Sequence, residues 1–96
     1  MQIILHPAVH SDLLQIAEYY ESVTGTELAD DFYNELCRFI SDTAKNPERF
    51  SVRENGLRRV NLPRFPYHFL FRISGDVVQI LVVRHHRRHP SFGIDR

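Results

Sequence analysis

The chain has 96 residues, of which 43% are hydrophobic and 25% are charged, a balance typical of a folded globular protein and not of a disordered or low-complexity segment. This length predicts one domain over residues 1–96. The single cysteine excludes an internal disulfide and a cysteine-based zinc cluster. With no visible signal peptide and no apolar run long enough to cross a bilayer, we expect a cytoplasmic protein without a membrane partner.

The net charge of zero conceals two halves of opposite sign. Residues 1–48 carry nine acidic and two basic side chains, a net charge of −7, whereas residues 49–96 carry ten arginines and three acids, a net charge of +7. Arginine recognises phosphate and carboxylate groups through planar, paired hydrogen bonds. The basic half therefore indicates a face for an anionic partner, a sheet packed on an acidic helical layer, or both.

The first half of the chain predicts one strand and two helices. Residues 2–5 form a candidate strand that ends at His6-Pro7, and apolar residues then recur at helical spacing from position 9 to position 20. After Gly25 a second helical stripe continues to Asn46-Pro47, which ends it. We expect the two helices to form a hairpin. Cys37 lies within the second stripe, where a small buried apolar residue is the simplest interpretation.

The second half predicts three strands, over residues 57–62, 67–74 and 77–86. Gly75-Asp76 between the last two strands is typical of a two-residue hairpin turn that requires glycine first. Residues 90–96 are expected to be irregular. The resulting fold class is α+β in the order β-α-α-β-β-β, with the helical hairpin packed on one face of a mostly antiparallel four-stranded sheet.

Alternation along the strands predicts which side chains the helices cover. Large apolar side chains share one face of the last two strands, and we assign them to the core: Tyr67, Phe69, Phe71, Ile73, Val78, Ile80 and Val82. The opposite face should be uncovered, with Leu81 and Val83 in its floor. Its polar and cationic side chains are predicted to be Arg59, Asn61, His68, Arg72, Gln79 and His85.

The run from residue 84 to residue 89, Arg-His-His-Arg-Arg-His, is the most unusual stretch of the chain. Alternation sends His85 and His86 to opposite sides, and the neighbouring arginines repel a divalent cation. We therefore expect no metal site and no cofactor. The run indicates either an anion-binding strand end or a solvated basic terminus.

Several stretches of the chain together resemble the RelE/ParE superfamily of small toxins from bacterial toxin–antitoxin pairs. The strongest are Phe-Pro-Tyr-His-Phe-Leu-Phe-Arg at 65–72 and Ile-Leu-Val-Val-Arg-His-His-Arg-Arg-His-Pro at 80–90, joined by His6-Pro7-Ala8 and by Gly-Leu-Arg-Arg at 56–59. The resemblance covers nearly the whole chain. It implies the strand–helix–helix–three-strand fold and neutralisation by a short cognate antitoxin, which we expect to contact apolar surface on the two helices.

The chain is more similar to the ParE-like branch, through Phe65-Pro66-Tyr67 and the His-Arg-Arg-x-Pro sequence at 86–90. The resemblance implies the toxin of a plasmid-stabilising type II toxin–antitoxin system, which inhibits growth by binding a target such as DNA gyrase without a hydrolytic site. The residues that we expect to contact the target or another anion are Arg59, Asn61, Arg72, His85, His86, Arg87 and Arg88.

Two alternatives follow from the same resemblance. The RelE-like branch cuts mRNA on the ribosome; a metal-independent endoribonuclease of that type would use Arg59, His68 and His86. Position 92, where that branch has a tyrosine, holds Phe92, which has no hydroxyl to exchange a proton. The third hypothesis is a degenerate member that binds its antitoxin and has lost toxicity.

Overall fold

One strand, two long helices and three further strands follow each other in the predicted order. The computed structural model describes residues 1–96, apart from the side chain of Glu54. Two short 3₁₀ turns, Pro47–Arg49 and Glu54–Gly56, separate the helices from the last three strands. The longer elements are β1 (Gln2–Leu5), α1 (Val9–Thr24), α2 (Thr26–Lys45), β2 (Arg58–Asn61), β3 (Tyr67–Ser74) and β4 (Val77–His85).

Local sequence signals set the ends of the helices. Gly25, with φ of +90°, separates α1 from α2 in a conformation that other residues rarely adopt. α2 ends at Lys45 and is capped by Asn46, because Pro47 disfavours a helical conformation in the residue that precedes it. Neither α1 nor α2 combines the length and the apolar character that crossing a membrane requires.

The four strands form one mixed sheet in the order β1-β4-β3-β2. β1 runs parallel to β4, whereas β4 with β3 and β3 with β2 are antiparallel pairs. The helices contact each other, and α1 also packs on β4. The predicted α+β class, with a helical hairpin on one face of a mostly antiparallel four-stranded sheet, is confirmed.

The main core lies between the helical hairpin and one face of the sheet. Phe69 and Phe71 of β3 are fully buried there, in one cluster with Phe32 and Leu36 of α2. Tyr67 lies on the same side, as the alternation of β3 predicts.

A β-bulge in β4 changes the direction of the side chains that follow it. Leu70 pairs with Val82 and Phe71 pairs with Ile80, which leaves Leu81 as the extra residue on β4. Val83 therefore joins the core under the helices, while Val82 packs on the opposite face. The prediction that Val82 faces the helices and Val83 the outer face is wrong, because strict alternation does not allow for an inserted residue.

The same shift turns the side chain of His85 to the opposite face of the sheet from the one predicted. Its ring lies 5.1 Å from that of Tyr67, edge to face, on the side of the sheet that carries the helices. His85 and Tyr67 line a cleft of about 380 Å³ together with Tyr19 and Tyr20 of α1. The prediction that His85 belongs to the outer face is wrong; Arg84 takes that face instead.

The outer face of the sheet, predicted to be uncovered, carries a second apolar cluster. Its buried members are Leu57, Leu70, Leu81 and Val82. Phe92 and Ile94, from the segment predicted to be irregular, pack over them. The segment does form turns and no regular element, but it folds back as a cover, so the expectation of an open face is wrong at the centre of the sheet.

The thiol of Cys37 is exposed, so the expectation of a buried cysteine is wrong. The apolar stripe of α2 is wider than the surface that the helix buries. Phe32, Leu36 and Ile40 enter the core, whereas Tyr33 and Cys37 lie on the solvent side of the same helix.

Candidate functional site

Two arginines and two histidines meet at one end of the outer face. Cross-strand register explains the meeting, because Asn61 of β2 pairs with His68 of β3 and His68 pairs with Arg84 of β4. His86 follows β4 directly and lies on the same side, in contact with His68. We refer to Arg59, His68, Arg84 and His86 as the basic cluster.

The two histidines of the basic cluster are linked in a directed hydrogen-bond chain. Arg84 Nε donates to His68 Nε2 at 2.9 Å, so this nitrogen carries the lone pair and His68 Nδ1 carries the proton. His68 Nδ1 lies 3.0 Å from His86 Nδ1 and donates to it. The proton of His86 is therefore on Nε2, which takes no part in these hydrogen bonds.

The environment keeps both imidazoles neutral. His68 is 1% exposed, and burial, followed by the charges of Arg59 and Arg84, lowers its pKa to about 3. Burial and the charge of Arg59 also lower the pKa of His86 below its usual value. At neutral pH the histidines therefore add hydrogen-bond donors but no charge, and the positive charge of the basic cluster comes from its arginines.

Some of the predicted target-binding residues near this end of the sheet bond to one another, and others are exposed beside them. Arg59 Nε donates to the side-chain oxygen of Asn61 at 2.8 Å, and Arg59 Nη2 lies 3.4 Å from His86 Nδ1. Arg87 and Arg88 follow β4 and are exposed. The guanidinium of Arg88 lies 4.0 Å above the ring of Phe92, which is a cation–π contact.

Arg84 connects the basic cluster to the C-terminal cover. Its Nη1 donates to the carbonyl oxygens of Pro90 and Phe92, at 2.8 and 2.9 Å. This buried arginine was not among the predicted site residues, because simple alternation turns it towards the helices. The bulge at Leu81 is what turns it outward.

Arg72, the remaining predicted contact residue, lies apart from the basic cluster. Its Nε donates to the Gln79 side chain at 2.9 Å, near the hairpin that joins β3 to β4. The apolar cover formed by Phe92 and Ile94 lies between the two sites. Arg72 is therefore separated from the basic cluster on the outer face by an apolar cover.

A different surface opens between the helices and β1. A groove of about 580 Å³ is lined by Leu5, Leu13, Leu14, Ala17, Ala29 and Tyr33, among others. Leu14 and Tyr33 are 50% and 54% exposed, although both are large and partly apolar. This groove corresponds to the apolar helical surface that we expect to receive a partner protein.

Comparison with known proteins agrees with the fold and the motifs. A family described as the ParE toxin of the type II toxin–antitoxin system parDE matches residues 3–90. Toxin ParE2 of Mycobacterium tuberculosis is 26% identical over 91 residues, which cover 91% of this chain and 83% of that protein.

The same architecture is present in a solved structure of the chromosomal ParDE TA system from P. aeruginosa. The TM-score is 0.80 at 23% sequence identity, over 88% of this chain and 95% of that chain. This likeness shows a common fold, and the family match over residues 3–90 adds the relationship in sequence. The protein belongs to the ParE toxin family of type II toxin–antitoxin systems.

Proposed function

We propose that this chain arrests bacterial growth by binding DNA gyrase in the cytoplasm, and that a cognate antitoxin neutralises it in a plasmid-stabilising pair. The proposed contact surface consists of Arg59 and His86 of the basic cluster together with Asn61, Arg87 and Arg88, which are exposed beside it. Arg72 forms a second contact. Gyrase is the target that the ParE-like resemblance implies, and arginine-rich surfaces suit an acidic protein patch.

The observation that supports binding over RNA cleavage is that both histidines already use ring nitrogens in hydrogen bonds within the protein. Cleavage through the 2′-hydroxyl needs a base with an available lone pair and a protonated acid. His68 uses both ring nitrogens inside the protein, and His86 Nδ1 already accepts a hydrogen bond. The lowered pKa of His86 also disfavours the imidazolium that would act as the acid. His86 Nε2 thus serves best as a neutral donor to a bound partner.

The groove between the helices and β1 is the proposed antitoxin site. Its aliphatic floor and the exposed rims at Leu14 and Tyr33 suit the apolar face of an amphipathic helix. Glu21 and Asp30 also line the groove. An antitoxin segment that combines an apolar stripe with flanking basic residues would complement both features.

Two assays with the purified chain separate the proposed activity from the nuclease alternative. The first measures DNA supercoiling by gyrase, and the second maps mRNA ends by primer extension in a cell-free translation reaction. Inhibited supercoiling with intact mRNA supports the proposal. New mRNA ends at the ribosomal A-site would instead establish the RelE-like activity, and growth without arrest after induction in cells lacking antitoxin would indicate a degenerate member.

The contact surface is tested with a charge-removal variant. Replacing both Arg59 and Arg87 by alanine should weaken growth arrest, whereas the thermal unfolding midpoint should fall only modestly, since Arg87 is exposed and Arg59 is half-buried. Lys45→Ala is the matched control, because Lys45 is an exposed cation at the end of α2. Unchanged growth arrest in the double variant would contradict the assigned surface.

A further inference from the structure

The outer, free edge of β1 presents backbone groups that point away from the rest of the sheet. β1 is the outermost strand next to β4. The amides of Gln2 and His6 donate towards β4, to the carbonyl oxygens of Asp76 and Ile80. Because backbone N–H groups alternate in direction along a strand, the N–H and C=O groups of the intervening odd-numbered residues, Ile3 and Leu5, point away from the sheet.

Both faces of this strand also carry exposed aliphatic side chains. Ile3 and Ile4 are 39% and 47% exposed, and Leu5 is 46% exposed. Ile3 pairs with the buried Val78 and therefore lies on the helical face, whereas Ile4 pairs with Gln79 and lies on the outer face. An edge with apolar side chains on both faces and free backbone groups is suited to pairing with another strand.

Charged side chains protect the opposite edge of the sheet, whereas β1 carries none. β2 at that edge carries Arg58 and Arg59, and Val52 forms a bridge with Arg58 that covers part of the strand. Natural edges are guarded by charges of this kind. Residues 1–9, in contrast, contain no charged side chain, and Pro7 stands only beyond the end of β1.

We propose that β1 pairs with β1 of a second copy of this chain, antiparallel and about a two-fold axis at Ile4. In this register Ile3 of one copy exchanges both of its backbone hydrogen bonds with Leu5 of the other copy. The same two residues form aliphatic cross-strand pairs on the helical face, and the two Ile4 side chains meet on the outer face.

A second copy of this chain is the proposed partner for this edge, because the side chains of β1 are complementary to those of an antiparallel β1. Apolar side chains meet apolar side chains at each position from Ile3 to Leu5, and no like charges face each other. The strand has only four residues, so we expect a weak dimer whose population depends on protein concentration. The proposal does not depend on the identity of the toxin's target.

The test uses charge pairs at the two-fold axis. Sedimentation equilibrium of the wild-type chain across a concentration series should show a monomer–dimer equilibrium. Ile4→Lys and Ile4→Glu should each weaken dimerisation by about tenfold or more, because each places like charges opposite each other. An equimolar mixture of the two variants should recover the dimer at low salt, which only a contact between the two Ile4 positions explains.

Two further variants guard against nonspecific effects. Ile3→Pro removes a free-edge N–H without removing a hydrogen bond to β4, and it should also weaken the dimer. Val23→Lys replaces an apolar residue of α1 that is 61% exposed, and it should leave the dimer unchanged. A wild-type chain that stays monomeric at every concentration, or a dimer that persists in Ile4→Lys and Ile3→Pro, would overturn the proposal.

Discussion

Arg96 donates to both carboxylate oxygens of Asp12, at 2.6 and 2.9 Å, across 84 positions of the chain. Asp12 also accepts a hydrogen bond from the Val83 amide at 3.1 Å, and Arg96 donates to the Leu81 carbonyl oxygen at 3.1 Å. The pair thus satisfies backbone groups of β4 next to the bulge, beyond the point where β1 ends. It ties the start of α1, the bulge and the C-terminal cover together.

Breaking this pair should destabilise the protein. Asp12→Ala leaves a largely buried guanidinium without its carboxylate and the Val83 amide without an acceptor, so we expect the free energy of unfolding to fall by about 3 kcal/mol. Chemical denaturation measures the change. The double variant Asp12→Ala/Arg96→Ala should be less destabilised than the sum of the single variants, and simple additivity would contradict a direct coupling.

Gly93 should be the glycine that tolerates a side chain least. A Cβ atom at position 93 would lie 2.5 Å from a Val82 methyl group, in a backbone with φ of +80°. Gly75→Ala is the control, since its φ is +62° and no neighbour lies within 4 Å of the added atom. We expect Gly93→Ala to cost about 1–3 kcal/mol more than Gly75→Ala in urea unfolding. Equal losses would mean that the cover can move away from Val82.

His68 should make stability depend on pH. Its pKa is 6.5 in the unfolded chain and falls to about 3 in the folded chain, so between these values the unfolded chain binds a proton that the folded chain does not. The contribution is fully present above pH 6.5 and is lost as the pH falls, by up to about 1.4 kcal/mol per pH unit.

The measurement is urea unfolding at pH 7, 6 and 5 for the wild type and for His68→Gln, whose side-chain oxygen still accepts from Arg84. The variant should lose less stability than the wild type on acidification, because it lacks this proton uptake. Parallel pH profiles would show that other groups cause the dependence.

A substitution in the groove should weaken antitoxin binding without reducing toxicity. Leu14→Lys places a charge on its apolar rim and should weaken antitoxin binding at least about tenfold, since a desolvated charge without a partner is costly. Val23→Lys, on the same helix but outside the groove-lining residues, should bind normally. In cells that express the antitoxin, Leu14→Lys should therefore remain toxic. Normal binding by Leu14→Lys would place the antitoxin elsewhere.

Alternation was a reliable guide where the sheet is regular. It placed Tyr67, Phe69 and Phe71 in the core and put His68 and Arg59 on the outer face, since each of these depends only on its own strand. It failed after the bulge, at Val82, Val83 and His85, and it missed Arg84 for the same reason. Backbone groups of β4 next to the bulge form hydrogen bonds with Asp12 and Arg96. Because both residues lie far from the bulge in the sequence, no local pattern indicates it.

Local sequence patterns specify the helices and strands of this protein, their order and the family to which it belongs. Those properties follow from local periodicity, from the breaks at Gly25 and Pro47 and from motifs readable along the chain. Three features follow from tertiary packing instead: the register shift at Leu81, the cover over the outer face and the hydrogen-bond chain between His68 and His86. These features depend on contacts between residues distant in sequence, such as Asp12 with Arg96, which no local pattern encodes.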